Sequence, residues 1–251
     1  MAGKKRLDEL LLARGLSVDV KEARVLIAAG QVLAAEEIAD KCGRLYAADC
    51  PLRLRQRASY VSRGGLKLAK ALSHFPIKPD GWRCLDIGAS SGGFTDCLLQ
   101  HGAAKVYAVD VAYGQLDWKL RNDSRVVVME RVNARHLRPG DIAQEIDLVV
   151  MDASFISATQ ILPALLPFFR GERRFITLVK PQFELPAEKV GAGGVVRDEE
   201  ARQEAVAKVV AFASRLGLTA EGAIPSPILG PKGNQEFLLY LSGAIAETNN
   251  E

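Results

Sequence analysis

The sequence predicts an α/β protein with a doubly wound, mostly parallel β-sheet, preceded by a small α+β domain. Three observations support this fold class. A glycine-rich turn joins a short apolar strand to a helix, apolar strands alternate with helical patterns from Trp82 onward, and only short elements are predicted before residue 60. A chain of 251 residues with 48% hydrophobic content is long enough for one small and one medium domain.

Runs of strand length alternate with helical periodicity in the larger domain. We expect strands at 83–87, 105–109, 125–130, 146–151, 174–179, 217–223 and 235–241. We expect helices at 93–101, 114–120, 157–168 and 198–215. The last strand follows a Pro/Gly stretch rather than a crossover helix, so it is expected to pair antiparallel, as an inserted or edge strand. The predicted domains are 4–60 and 61–244, followed by a disordered tail at 245–251.

The N-terminal segment predicts two short helices and several short strands. The helices are expected at 6–14 and 21–29, with Ser17 capping the second helix and Gly30 ending it. The strands are expected at 31–33, 44–46 and 52–55. A small basic module of this kind suggests RNA binding, although a generic α+β fragment would show the same pattern.

The glycine-rich turn at 86–96 predicts the cofactor. Its glycines have the spacing G-x-x-x-G-G, whereas a dinucleotide-binding turn has G-x-G-x-x-G. The carboxylate of Asp86 would repel a pyrophosphate and attract an ammonium group, which S-adenosylmethionine carries. Asp110 ends the next strand, where a carboxylate suits a ribose diol. S-adenosylmethionine is therefore the predicted cofactor, with a dinucleotide or a purely structural turn as alternatives. The predicted cofactor-binding residues are Asp86, Gly88, Ser90, Gly92, Gly93, Phe94, Asp110, Asn133, Ala134 and Asp152.

Four charged residues lie where an apolar pattern would not place them. Asp152 and Lys180 each follow a predicted strand, and Glu236 begins the antiparallel one. Lys67 precedes the first strand of the sheet. Two lysines and two carboxylates at one cleft suit methyl transfer to a hydroxyl, since a ribose 2′-OH needs a base to remove its proton. We expect Lys180 to be that base, Lys67 to tune it or hold the substrate, Asp152 to orient Lys180, and Glu236 to hold Lys67 or the ribose. Four unrelated surface charges are the alternative.

Positive charge is concentrated towards the N-terminus. The net charge is +3, yet residues 1–80 hold 15 Lys and Arg against 9 Asp and Glu. The segment 51–79 has no acidic residue and seven basic ones, namely Arg53, Arg55, Arg57, Arg63, Lys67, Lys70 and Lys78. Such a stripe is typical of a polyanion partner, with a solvated face as the alternative. The predicted RNA-binding residues are Lys4, Lys5, Arg6, Arg14, Lys21, Arg24 and Arg63.

The four cysteines show no C-x-x-C spacing, so neither a metal site nor a disulfide framework is expected. No apolar run approaches the roughly 18 residues that a membrane span needs. The basic N-terminus lacks a signal-peptide core. We therefore expect a cytoplasmic protein without a metal or a membrane partner, and its oligomeric state is not predicted.

Several stretches together resemble the TlyA/hemolysin A family, which joins an S4-type RNA-binding domain to an FtsJ-like methyltransferase domain. The resemblance covers residues 4 to 242 and is carried by the stretches 5–8, 62–68, 86–96, 151–157, 180–184, 190–198 and 230–237. It implies a Rossmann-like S-adenosylmethionine-dependent methyltransferase fold and 2′-O-methylation of cytidine in ribosomal RNA. The Lys-Asp-Lys-Glu tetrad of the family matches Lys67, Asp152, Lys180 and Glu236.

One stretch departs from this family. Its S4 domains carry an Asn-Gly turn after the second helix, which favours a tight type I′ hairpin. The corresponding stretch at 32–37 has Ala34-Ala35 followed by two acids, and Ala-Ala does not favour such a turn, so we expect a less secure hairpin and a weaker grip on RNA.

Three other functions remain open from the sequence. The first is a cytolysin, which the family's historic name suggests, although neither a spanning segment nor an amphipathic hairpin supports it. The second is a catalytically idle RNA-binding or ribosome-assembly protein. The third is a methyltransferase that acts on a small molecule or a protein.

Overall fold

The structure, a computed structural model, describes residues 3–55, 59–169 and 171–244. It divides into two compact units, Met1–Ala58 and Ser59–Glu251. The predicted disordered tail at 245–251 and the basic residue Arg57 lie outside the described residues.

The first unit combines two short helices with two small antiparallel sheets. Its elements are β1 (Lys4–Arg6), α1 (Leu7–Ala13), α2 (Val20–Ala28), β2 (Val32–Ala34), β3 (Glu37–Ile38), β4 (Leu45–Ala47) and β5 (Leu52–Leu54). β1 pairs with β4, and β2 lies between β3 and β5. Leu7, Leu11, Ala23 and Ile27, spaced four apart on each helix, form a buried core with Val32. β1 and β3 were not predicted, because two or three residues show no measurable alternation.

The start of α2 corrects one prediction. Asp19, and not Ser17, caps this helix, and its carboxylate accepts the backbone N–H of Glu22 at 2.7 Å. The Ser17 hydroxyl is instead buried and has no hydrogen-bond partner among the described residues. Both residue types suit an N-cap, so the sequence alone did not distinguish them.

A tight hairpin joins β2 to β3 despite the missing Asn-Gly pair. Ala34 faces Glu37 across the two strands, so the turn contains only Ala35 and Glu36. Both have positive φ, +48° and +69°, as a type I′ turn requires. The Glu36 carboxylate also receives two hydrogen bonds from the Arg53 guanidinium on β5. We expected a less secure hairpin. The structure shows that the turn forms, with two non-glycine residues in the left-handed region.

This turn predicts opposite effects for one substitution at two positions. Ala35→Asn places a residue that tolerates the left-handed region where alanine is strained, so the unit should gain about 1 kcal/mol. Ala28→Asn, on an exposed position of α2, should cost about 0.7 kcal/mol through lower helix propensity. Hydrogen exchange at the Ala39 amide, which donates to the Val32 carbonyl, measures both. Slower exchange in Ala28→Asn than in Ala35→Asn would contradict this account.

The second unit contains a seven-stranded sheet. Its strands are β6 (Arg83–Ile87), β7 (Lys105–Asp110), β8 (Val126–Glu130), β9 (Leu148–Met151), β10 (Arg173–Val179), β11 (Thr219–Pro225) and β12 (Phe237–Gly243). Its helices are α3 (Gly64–His74), α4 (Gly93–Gln100), α5 (Trp118–Arg121), α6 (Leu162–Leu165), α7 (Pro181–Glu184) and α8 (Glu199–Arg215).

The strand order is β11-β12-β10-β9-β6-β7-β8. The strands from β10 to β8 pair in parallel, whereas β12 is antiparallel to both β10 and β11. The predicted doubly wound sheet with one antiparallel strand is confirmed, and that strand lies between β10 and β11 rather than at an outer edge of the sheet.

Because β12 is antiparallel to β10, its first residue lies beside the carboxyl ends of the parallel strands.

Apolar side chains cover both faces of the sheet, as parallel strands require. One cluster joins the sheet to α6 and α8, with Leu162 and Val209 at its centre. The other joins the opposite face to α3 and α4, with Leu68 and Leu98. No helix in the described part of the chain is both long and apolar enough to cross a membrane.

Two predictions for the helices need correction. α3 was not predicted, because the sequence of 64–74 was interpreted as part of a basic stripe. Its apolar positions lie three and four residues apart and face the core. The predicted helix at 157–168 is broken into short turns around α6, since Pro163 and Pro167 cannot donate the hydrogen bonds of a continuous helix.

Candidate active site

Charged side chains meet at the edge where the parallel strands end. Asp152 directly follows β9, Lys180 follows β10, and Glu236 precedes β12. Lys67 reaches the same place from the first turn of α3, where it is only 7% exposed. The structure therefore brings all four predicted catalytic residues together.

Asp152 joins the two lysines. Its Oδ1 atom lies 2.5 Å from Lys180 Nζ, and its Oδ2 atom lies 3.5 Å from Lys67 Nζ. The Lys180 ammonium also donates to Ser154 Oγ at 2.7 Å. Lys180 is 6% exposed, whereas a fifth of the Asp152 side chain is accessible, so a ligand approaches the pair from the side of Asp152.

Lys67 and Glu236 form a buried ion pair. Lys67 Nζ lies 2.6 Å from Glu236 Oε2, and Glu236 is fully buried. Its Oε1 atom accepts no hydrogen bond from the described residues. It packs against Gly230, where an added Cβ would lie 2.1 Å away. Removing either partner would leave a buried charge uncompensated, so the pair constrains how α3 meets β12.

The glycine-rich turn packs closely against neighbouring elements. Gly88 has φ +79°, and an added Cβ would lie 2.8 Å from the carbonyl oxygen of Asp152. A Cβ on Gly93 would lie 2.3 Å from Ser62 Oγ and 2.8 Å from the backbone nitrogen of Gly65. These positions are glycines because a side chain there would collide with the neighbouring backbone. Without a Cβ, the residue after β9 and the start of α3 can pack against the turn.

Asp86 lies beneath this turn and is fully buried. Its Oδ2 atom accepts the Thr95 hydroxyl at 2.6 Å, whereas its Oδ1 atom has no partner among the described residues. Burial is the main cause that raises the pKa of Asp86 to about 7. An unpaired buried carboxylate oxygen of this kind favours a nearby cation or a bridging water.

Asp110 shapes a cavity of about 450 Å³ at the ends of β6, β7 and β9. Its carboxylate accepts the backbone N–H groups of Ser90 at 2.7 Å and Ala112 at 2.8 Å. These bonds fix the side chain and leave lone pairs on both oxygens for further donors. Asn133 and Ala134 line the same cavity.

A second cavity, of about 250 Å³, adjoins the first and shares Gly88, Ser90 and Asp152 with it. Lys67 and the exposed Arg63 line this smaller cavity. Asp152 therefore lies between two spaces, one lined by the Asp110 carboxylate and one lined by two basic side chains.

The predicted cofactor residues are not all at a cavity wall. Gly93 and Phe94 line the smaller cavity, whereas Asp86 and Gly92 line neither. Gly92 has φ +94° and lies against Leu120 and Leu116. Its role in the structure is a turn and a close packing contact, not a cavity wall.

Sequence reasoning missed three contributors to the site. Ser154 binds Lys180, Thr95 binds Asp86, and Gly230 packs against Glu236. All three lie in stretches that carried the family resemblance, which was the only signal available for them.

The predicted RNA-binding residues of the first unit differ in their surroundings. Arg6 and Arg24 both bind the buried carboxylate of Asp8, and these hydrogen bonds, that of Arg6 first, lower its pKa to about 2. The Arg14 guanidinium donates to the carbonyls of Ala48 and Cys50. Lys4, Lys5 and Lys21 are exposed.

Not every side chain of the basic stripe predicted at 51–79 is a free surface charge. Arg53 is paired with Glu36, and Lys67 is buried beside Glu236. Arg53 and Arg55 belong to the first unit, and Arg63, Lys67, Lys70 and Lys78 to the second.

Within the described ranges, no group of three His, Cys, Asp or Glu side chains could hold a metal ion.

The sheet order and the glycine-rich turn define a Rossmann-like methyltransferase fold. A solved structure of magnesium protoporphyrin IX methyltransferase from Synechocystis PCC 6803 with bound SAH has this fold, at a TM-score of 0.51 and 16% identity, covering 72% of this chain and 82% of its own.

The family follows from closer matches. The model of the FtsJ-like methyltransferases matches residues 60–242. The 16S/23S rRNA (cytidine-2′-O)-methyltransferase TlyA of Mycobacterium tuberculosis is 45% identical over 96% of this chain and 91% of its own. Hemolysin A of Brachyspira hyodysenteriae is 40% identical over 94% and 98%. A solved structure of a presumed hemolysin from Streptococcus thermophilus covers 97% of this chain and 90% of its own, with 41% identity and a TM-score of 0.74. The chain belongs to the FtsJ-like methyltransferases, in the TlyA/hemolysin A family.

The buried Asp86 predicts a pH-dependent stability. An unfolded aspartate titrates near about 3.9, so between pH 4 and 7 the folded state binds the extra proton and stability falls as the pH rises. Asp86→Asn removes this titration, so its stability relative to the wild type should rise by about 3 kcal/mol from pH 5 to pH 8. Urea unfolding followed by the fluorescence of Trp82 and Trp118 measures it, since both lie in the second unit.

Asp123→Asn is the matched control. The pKa of Asp123 is lowered, chiefly by a hydrogen bond from the Arg125 side chain, so its titration is complete below pH 5. Its stability relative to the wild type should be constant from pH 5 to pH 8. Parallel stability curves for Asp86→Asn and the wild type would contradict the prediction.

Proposed function

We propose that this protein transfers a methyl group from S-adenosylmethionine to the 2′-hydroxyl of a cytidine in ribosomal RNA, in the cytoplasm. The observation that carries this proposal is the chain of contacts from Lys180 through Asp152 and Lys67 to Glu236, in which Asp152 lines both cavities and Lys67 lines the smaller one. The activity for which the TlyA relative is named supports the same reaction and acceptor.

The larger cavity suits S-adenosylmethionine. The Asp110 carboxylate would bind the ribose hydroxyls, and Asn133 and Ala134 would contact the adenine. The unpaired Oδ1 of Asp86 would attract the ammonium group through a bridging water, because Asp86 does not line the cavity. When bound, the cofactor supplies an electrophilic methyl group on a sulfonium sulfur.

Lys180 is the base in this proposal. The ribose hydroxyl loses its proton as its oxygen forms the new bond, and the neutral amine of Lys180 accepts that proton. The resulting ammonium is the form that Asp152 and Ser154 stabilise in the structure. Solvent must remove the proton before the next reaction.

The smaller cavity would receive the nucleotide. Lys67 is paired with Glu236 and lines this cavity together with Arg63. An ammonium and a guanidinium there would hold the ribose and its phosphate. Lys67 thus positions the substrate while Lys180 removes the proton.

The first unit would bind RNA, as the predicted S4-type domain. Lys4, Lys5 and Lys21 are exposed and would contact phosphates, whereas Arg6, Arg14 and Arg24 already have partners within the unit. The exposed lysines would therefore dominate the salt dependence of binding, and the arginines would shape the domain.

Replacing the base should stop transfer without preventing cofactor binding. Lys180→Met is expected to lower kcat about 10²- to 10⁴-fold, and to keep cofactor affinity, since Lys180 does not line the larger cavity. The measurement is transfer of labelled methyl to unmethylated ribosomal subunits, with calorimetry for the cofactor. Lys119→Met, an exposed lysine on α5, should behave as the wild type.

Two results would refute different parts of the proposal. A Lys180→Met variant with the wild-type rate would exclude Lys180 as the base. A wild-type protein that binds the cofactor but labels neither ribosomal subunits nor naked ribosomal RNA would exclude the proposed acceptor.

The exposed lysines of β1 should govern the salt response. Replacing both Lys4 and Lys5 with alanine should reduce the slope of log affinity against log salt by about 2, since each phosphate contact contributes about 1. The slope is measured by filter binding of ribosomal RNA between about 50 and 200 mM salt. A Lys119→Met variant should keep the wild-type slope. An unchanged slope in the double variant would remove β1 from the RNA interface.

A further inference from the structure

Glu184 is a buried carboxylate that the proposed reaction leaves without a role. It ends α7, the single helical turn that directly follows Lys180, and it is 3% exposed. Its Oε2 accepts the Ser157 hydroxyl at 2.5 Å, and its Oε1 accepts the backbone N–H of Ala158 at 2.8 Å. Both partners belong to the loop at 152–158, which begins with Asp152 and is here named the catalytic loop. Glu184 therefore binds the far end of that loop.

The near end of the catalytic loop is bound to the same segment. Asp152 and Ser154 both contact the Lys180 ammonium. Between the two ends, the rings of Phe155 and Phe183 lie 5.2 Å apart. The loop after β9 and the turn after β10 are thus joined at three successive points, of which the Glu184 bonds are the most buried.

The catalytic loop also contains a strained residue. Phe155 has φ +63°, which is unfavourable for a residue with a Cβ. Its side chain is 90% exposed, so little burial offsets the strain. Such a conformation persists only where its surroundings enforce it. Ser157 and Ala158, two and three residues later, supply the contacts that can do so.

Glu184 is itself held by α8. The Lys208 ammonium donates to the Glu184 backbone carbonyl and lies 3.9 Å from Oε2. Lys208 partly balances the carboxylate charge and links it to the longest helix of the unit. The carboxylate is therefore a fixed point against which the catalytic loop is oriented.

We propose that Glu184 is a positioning residue for methyl transfer, which holds the catalytic loop so that Asp152 and Ser154 remain on the Lys180 ammonium. Glu184 touches neither of the two cavities at the site, so it acts through the loop and not on the substrate. The inference rests on the proposed function for its kinetic consequence, but the contact it describes can be tested without any methyl transfer.

The kinetic test compares Glu184→Ala, Glu184→Gln and Asp147→Ala in the full-length protein. Glu184→Ala should lower kcat about 10- to 100-fold, as expected when reacting groups are displaced, and should move the pH at which kcat is half-maximal. Glu184→Gln keeps an acceptor for the Ala158 N–H and offers a donor to the Ser157 oxygen, so it should restore most of the rate and the wild-type pH profile.

Asp147→Ala controls for loss of stability. Asp147 also accepts a backbone N–H, that of Arg83 at 2.8 Å. It precedes β9, at the amino ends of the parallel strands and so away from the site. This variant should lose stability and yet keep the wild-type pH profile. A Glu184→Ala variant whose kcat and pH profile match those of the wild type would overturn the proposal, as would one whose losses Asp147→Ala reproduces.

A second measurement does not depend on activity. Competitive labelling with acetic anhydride, read by mass spectrometry, reports the reactivity of the Lys180 amine, which is now 6% exposed. Glu184→Ala should label faster at Lys180 than the wild type does, and Glu184→Gln should not. Unchanged labelling would overturn the positioning role. Faster labelling in a protein that methylates no RNA would support that role while refuting the proposed function.

Discussion

The site depends on a balance of charge at the edge where the parallel strands end. Two ammonium groups and two carboxylates alternate there, and three of the four side chains are less than a tenth exposed. Each charge is stable in the interior because an opposite charge compensates it. No member of the cluster can be buried without the others. The strands and the helix that carry the four side chains must therefore lie close enough for these ion pairs to form.

Close packing at glycines makes those distances possible. α3 carries Lys67, and it approaches the glycine-rich turn through the contact of Gly65 with Gly93, where there is no room for a side chain. Gly88 brings the turn to the backbone of Asp152, and Gly230 makes space for the carboxylate of Glu236. These glycines thus admit neighbouring parts of the protein.

Much of the site could be predicted because topology alone places it. Asp152 and Lys180 follow parallel strands, and such strands end at one edge. The sequence did not reveal how deeply each side chain is buried. Periodicity identifies a strand end but not whether its side chain lines a cavity, and the predicted cofactor residue Asp86 lines neither cavity.

Other features depend on contacts between distant parts of the chain. Ser154 and Thr95 are ordinary polar residues until folding brings Lys180 and Asp86 beside them. α3 was not predicted because its two lysines and the preceding Arg63 suggested a surface, yet Lys67 is buried and pairs with Glu236. Pro163 and Pro167 were visible, but an apolar pattern was given more weight than their missing donors.

The inserted position of β12 has a consequence for how the protein is made. Lys67 meets a partner 169 residues further along the chain, and that partner precedes a strand that must enter between β10 and β11. Contacts of such sequence separation form slowly, because a long loop must close first. A nascent chain still attached to its ribosome can form β6 to β10 and the cavity that Asp110 shapes, but it leaves Lys67 without Glu236. The cluster of four charged side chains is therefore completed only after β12 has been synthesised, and a chain that stops short of β12 would hold a cavity without Glu236.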